Sequence, residues 1–164
     1  MSDNLCYRDA YARETQAAVQ AVDPDSGAVL LDRTVFYPGG GGQPADHGWL
    51  RRDGRSWTVT GARKQGDEIW HALEGEPPAV GAIVAAELDW SRRHALMRTH
   101  SALHVLCGVI WRDHQASVTG GNMEPLSGRM DFEFETMHGD LVADIERRVN
   151  LEVVADREIR VAIL

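Results

Sequence analysis

"DWSRRHALMRTHSALHVLCGVIWRDH", Asp89 to His114, is where the pattern of the chain changes. Leu96, His100, Leu103, Cys107 and Ile110 recur at intervals of three and four, the spacing of one helix face. Asp89 suits the N-cap position, where a carboxylate accepts from the free N–H groups of the first turn. The segment reads as one long helix. Upstream of it the apolar runs are short: "AAVQAV" (17–22), "AVLLD" (28–32), "HGWLRR" (47–52), "SWTVTGARK" (56–64), "DEIWHAL" (67–73) and "GAIVAAELD" (81–89), divided by "DPDSG", "RDG", "KQG" and "EGEPP". Turn residues at that spacing point to a small antiparallel β-barrel or sandwich. Downstream, "QASVTGGNMEPLSG" reads as a second glycine-bearing loop, "RMDFEFE" (129–135) alternates as a strand, "GDLVADIERRVNLEVV" (139–154) is an amphipathic helix, and "REIRVAIL" (157–164) begins another strand. The class is α+β: a β-rich domain over 1–88 and an α/β domain over 89–164 that looks unfinished.

Bulk composition narrows the function. The 164 residues are 43% hydrophobic, enough for a core, and hold no run long and apolar enough for a transmembrane helix. The N-terminus lacks the basic-then-apolar pattern of a secretory signal. Cys6 and Cys107 do not make a disulfide framework, so a soluble protein of the reducing cytoplasm is expected. The net charge of −8 argues against general nucleic-acid binding, but residues 33–130 carry 11 basic against 10 acidic residues. All but Lys64 of the basic residues are Arg, whose guanidinium holds phosphate bidentately.

Three groups of residues could carry chemistry. His100 and His104 lie four apart, which on a helix is an advance of about 400° and a rise of about 6 Å, so both imidazoles leave one face. That suits two ligands of one zinc ion, which needs at least one more protein donor. Ser101 stands where the metalloprotease motif has its glutamate, so that activity is excluded. Cys107 shares the face and is either a third ligand or a small core residue. The second group is "PGGGGQP": Gly39, Gly40, Gly41 and Gly42 are neither a P-loop nor a dinucleotide fingerprint, and read as a tight packing turn from which Gln43 offers its amide. The third is "SVTGGNM", where Gly120 and Gly121 let backbone N–H groups face a ligand and Thr119 adds a hydroxyl.

In order, "FYPGGGGQPADHG", "DWSRRHALMRTHSALH", "VTGGNM" and "GRMDFEFE" resemble AlaX-type proteins, free-standing relatives of the editing domain of alanyl-tRNA synthetase, from about Val29 to Leu164. The resemblance implies a glycine-motif β-barrel followed by an editing domain. It implies hydrolysis of mischarged tRNA(Ala), chiefly Ser-tRNA(Ala) and in some members Gly-tRNA(Ala). It also implies Zn²⁺ held by His-x-x-x-His, matched by His100 and His104, together with a Cys-x-x-x-His further along. Thr119 falls where the family has a residue near the aminoacyl group. Arg51, Arg52 and Arg55, or Arg92, Arg93 and Arg98, are candidate RNA contacts.

The sequence departs from the family in having no Cys-x-x-x-His. Either the chain is a fragment, the reading that the unfinished α/β part favours, or it is a member without a full zinc site. The expected function is therefore a zinc-dependent aminoacyl-tRNA deacylase, with a catalytically incomplete RNA-binding or interaction module as the alternative. An apolar face left uncovered would favour homo-oligomers.

Overall fold

The computed structural model describes residues 3–134, 136 and 138–158. The chain divides into two compact units, Met1–Met97 and Arg98–Leu164, and the division falls inside the long helix rather than at its start.

In the first unit, β2 (Glu14–Val22), β3 (Val29–Leu31), β5 (Gly48–Arg52), β6 (Arg55–Gln65), β7 (Glu68–Leu73) and β8 (Ile83–Leu88) close a barrel in the order β2-β3-β7-β6-β5-β8. Every neighbouring pair is antiparallel. Closure leaves no barrel strand with an unpaired edge. A short parallel pair, β1 (Asp3–Asn4) with β4 (Arg33–Thr34), lies outside it. Period-two alternation decides what faces in. Val84, Ala86 and Leu88 of β8 are buried while Ile83 is exposed. The core is Val19, Val29, Leu31, Val35, Phe36, Leu50, Val59 and those three. Each full-sized apolar side chain buried there contributes about 1.5–3 kcal/mol.

The helix α1 (Trp90–His114) begins as its sequence requires: Asp89 Oδ1 accepts from the Arg92 N–H at 3.0 Å. In the second unit, β9 (Val118–Glu124) and β10 (Ser127–Phe132) form an antiparallel hairpin, followed by α2 (Gly139–Val154). Ile110, Ala116 and Ile145 form its buried centre, with Leu106, Phe132, Phe134, Leu141 and Val149 packed around them. Leu151, Val153 and Val154 of α2 are exposed. The strand expected over 157–164 lies almost wholly outside the described residues. No helix among the described residues is long and apolar enough to cross a membrane.

One local reading needs correction. Residues 118–124 are strand, not loop. Gly120 and Gly121 pair with Asp131 and Met130, and the turn is Glu124–Ser127. Glycine is needed there because the strands approach closely: a Cβ on Gly121 would lie 2.6 Å from Met130 Sδ and 2.8 Å from the Arg129 carbonyl.

Candidate functional site

The paired imidazoles stand as the helical period requires. His100 and His104 stack with centroids 4.8 Å apart and planes 25° from parallel, and their Nε2 atoms are 2.9 Å apart. Both residues are exposed. The His100 pKa is lowered, first by partial burial and then by the neighbouring His104. Both effects favour neutral imidazole, the form with a lone pair to give a cation. The Cys107 thiol is pushed up by burial, away from the thiolate that binds metals. Among the described residues no set of three or more His, Cys, Asp and Glu side chains converges, so Cys107 does not complete the pair.

The hairpin lies along the same helix. Thr99 Oγ1 donates to the Glu124 carbonyl at 3.2 Å, and the Leu103 methyls lie 3.1 Å from where a Cβ on Gly128 would sit. Each imidazole follows one of these contact residues, so it is turned about 100° from the contact line. The helix therefore holds the pair at the flank of the hairpin. Thr119 lies toward the other end, roughly 17 Å of strand from Glu124. Gly120 faces Asp131 and Val118 faces Phe132, so Thr119 is the extra residue of a β-bulge. Bulges re-aim side chains and interrupt pairing; the sequence offered no sign of this one.

The glycine motif belongs to the first unit and is a hairpin turn. Gly40 N–H donates to the Gln43 carbonyl at 2.9 Å, and Gln43 N–H returns the bond at 3.1 Å. Gly41 and Gly42, between them, have φ of +60° and +86°. Two central residues of positive φ define the type I′ turn, which suits glycine. The turn is anchored at its base by Asp46, whose carboxylate accepts from Tyr37 N–H at 2.7 Å.

That carboxylate also meets Arg93, a residue the sequence suggested for RNA. Arg93 is instead buried, at 3% exposure. Its Nε lies 3.0 Å from both Asp46 oxygens, and Nη2 contacts Oδ2 as well. Nη1 donates to Ala10 O and Nη2 to Val35 O, both at 2.9 Å. Arg93 thus has no face for phosphate. Arg51 pairs with Glu87 and Arg52 with Asp53, while Arg55 and Arg98 are exposed.

The remaining histidines have other surroundings. His71 is fully buried in the barrel. Its Nδ1 is 3.1 Å from the Val29 carbonyl, which accepts only, so Nε2 accepts the Thr34 hydroxyl at 2.7 Å. Burial lowers its pKa to about 4. His94 stacks on Trp90, and His114 packs against Phe134.

Residues 7–92, just over half of the chain, match the family model for tRNA synthetases class II (A). The chain is 38% identical over 156 residues to the alanyl-tRNA editing protein AlaX-M of Methanosarcina barkeri, covering 92% of this chain and 64% of that protein. It is 37% identical over 164 residues to AlaX-M of Methanosarcina mazei, covering 95% and 64%. It is also 39% identical over 155 residues to the alanine–tRNA ligase of Pyrobaculum neutrophilum, covering 93% of this chain and 17% of the ligase. The chain thus spans less than two thirds of the AlaX-M proteins it matches. With the barrel, the glycine turn and the two-histidine helix in the expected order, and similar in sequence to the AlaX-M proteins, the chain belongs to the family of tRNA synthetases class II (A).

Proposed function

We propose that this chain forms part of a trans-editing deacylase that hydrolyses the ester of mischarged tRNA(Ala), chiefly Ser-tRNA(Ala) and also Gly-tRNA(Ala), in the cytoplasm. The observation that carries the reading is the His100–His104 pair, two imidazoles whose Nε2 atoms converge at 2.9 Å on an exposed helix face. Zn²⁺ fits that pair as two of its four donors. The others would come from outside the described residues, since no third donor among those converges. Zinc bound there supplies Lewis-acid polarisation of an ester carbonyl, or a bound water of lowered pKa.

The chain's own contribution is recognition. The Thr119 bulge offers a hydroxyl at a break in strand pairing, beside the backbone of Gly120 and Gly121. A site that hydrogen-bonds the serine hydroxyl rejects alanine, because alanine leaves that site's polar group unpaired, and such selection discriminates better than one methyl of size. Gln43 stands on the glycine turn, and its amide is a second candidate for substrate contact. Arg51, Arg52, Arg55, Arg92 and Arg98 remain candidates for the RNA backbone.

The test is serine release from Ser-tRNA(Ala), with zinc content measured on the same preparation. A wild-type protein that carries the remaining donors is expected to hold about one zinc and release serine. The His100→Ala/His104→Ala double variant is expected to lose both. Undiminished release by the zinc-free double variant removes metal-dependent hydrolysis.

The two-donor set also favours a second reading: a catalytically incomplete module that binds tRNA without turnover. Its binding weakens as salt rises, because counterions are released from the phosphates. Serine release by the wild-type chain excludes it.

A further inference from the structure

The start of α1 carries an aromatic cluster to which the editing reading gives no role. Trp90 and His94, one helical turn apart, stack with centroids 5.6 Å apart and planes 22° from parallel. Tyr11 lies against Trp90 at 5.8 Å, tilted by 43°. The Arg13 guanidinium sits 4.1 Å from the centroid of the Trp90 ring. Tyr11 is 65% exposed, and Arg13 and His94 are exposed too. No carboxylate among the described residues pairs with Arg13, although many other arginines here are paired. The nearby acids are engaged locally: Asp9 accepts from Tyr11 N–H and Asp89 caps the helix.

The cluster is held rigidly. Arg93 fixes the Ala10 carbonyl, one residue before Tyr11, to the first turns of α1. Leu88 N–H donates to Arg13 O at 2.8 Å and fastens the next residues to β8. A hydrophobic core would bury such rings, and a chance surface would scatter them. Here Trp90 is half-buried with His94 stacked on it and Tyr11 tilted against it, both exposed, and Arg13 lies over the indole with no carboxylate partner among the described residues.

We propose that Tyr11, Arg13, Trp90 and His94 form a stacking platform for unpaired bases of single-stranded RNA. Arg13 and His94 already lie against the indole, so the exposed Tyr11 and His94 rings are the ones left to accept another flat ring, and every base offers one. Arg13, already over the indole, adds a cation for the base or its phosphate. Its choice of RNA as ligand rests on the editing reading, and it assigns that reading a surface for single-stranded RNA. The mode differs from phosphate contact because it follows the base.

The experiment is fluorescence anisotropy of a labelled short single-stranded RNA with the full chain, beside an abasic oligonucleotide of the same length and backbone. The abasic strand is expected to bind far more weakly. Tyr11→Ala/His94→Ala is expected to lower affinity for the intact strand roughly tenfold or more, with an unchanged far-ultraviolet circular dichroism spectrum because both side chains are exposed. Tyr11→Phe, which keeps the ring, retains affinity. Equal binding of both oligonucleotides, or unchanged affinity in the double alanine variant, overturns the platform. The readout is binding, so a chain that binds the intact strand through these residues but releases no serine refutes the deacylase reading alone.

Discussion

Replacing Asp46 by asparagine keeps the volume of the side chain and removes its charge. The carboxylate accepts from the Arg93 guanidinium through Nε and Nη2 and from Tyr37 N–H. The two side chains of the ion pair are 1% and 4% exposed, so water does not replace what is lost. Removing one partner of a buried pair costs about 3–5 kcal/mol, because the other charge stays buried without compensation. Asparagine keeps one acceptor oxygen, and Arg93 keeps Ala10 O and Val35 O, so the lower end, about 3 kcal/mol, is expected. For a chain of this length that corresponds to a fall in Tm of about 6–12 °C. Arg93→Met also strands the Ala10 and Val35 carbonyls and should cost at least as much. In Arg93→Met/Asp46→Leu the orphaned carboxylate is gone and only Tyr37 N–H loses its acceptor, so the loss should fall well short of the sum of the single-variant losses. Thermal and urea unfolding of the three variants measure this. A loss below about 1 kcal/mol in Asp46→Asn, or additive losses in the double variant, refutes a coupled buried pair.

His71 is neutral in the fold with its pKa lowered to about 4, whereas an unfolded histidine takes its proton near 6.5. Its contribution is full above pH 6.5 and is lost as pH falls toward 4, by about 3 kcal/mol in all. The difference in unfolding free energy between wild type and His71→Gln should shrink across that window, and a constant difference refutes it. Gly121→Ala drives a Cβ into the Arg129 carbonyl and Met130 and should cost about 1–3 kcal/mol, seen as faster amide exchange in β9 and β10. Gly41 has open space and φ of +60°, so only its conformation matters. Gly41→Asn should be nearly neutral and Gly41→Val should cost about 1–2 kcal/mol in urea unfolding.

Much of the fold is written in local pattern. Alternation over 17–22, 28–32, 47–52, 56–64, 67–73 and 81–89 marks all six barrel strands, and the shift to three-and-four spacing after Asp89 marks α1 with its cap. The His100–His104 pairing followed from helical period alone. What escaped depends on partners distant in sequence. β9 lacks a strand-like composition because its glycines answer to Met130 and Arg129 across the hairpin, not to a turn. The Thr119 bulge shows only in the register of two strands. Arg93 had one legible clue, three residues before Leu96 on the helix's apolar face, but Asp46, its reason for being buried, lies in a loop. Nothing in the spacing of Tyr11 and Trp90 joins them; barrel closure does.

The glycine motif gains its meaning from that same chain of contacts. Four consecutive glycines carry positive φ, and the turn they allow folds back so that Asp46 stands opposite Tyr37, each bonded to the other's backbone. Asp46 then holds Arg93, and Arg93 holds Ala10 and Val35. A change at the motif is therefore transmitted, without touching any substrate, to the first turns of α1 and to the segment that carries Tyr11 and Arg13. This separates two roles that a glycine-rich loop is often assigned together. Gly41→Val should loosen stability and the Tyr11–Trp90 contact jointly, whereas a loop that binds substrate directly would lose affinity with the aromatic cluster intact. Near-ultraviolet circular dichroism, which senses tryptophan packing, distinguishes the two, and the contacts just traced require that it change.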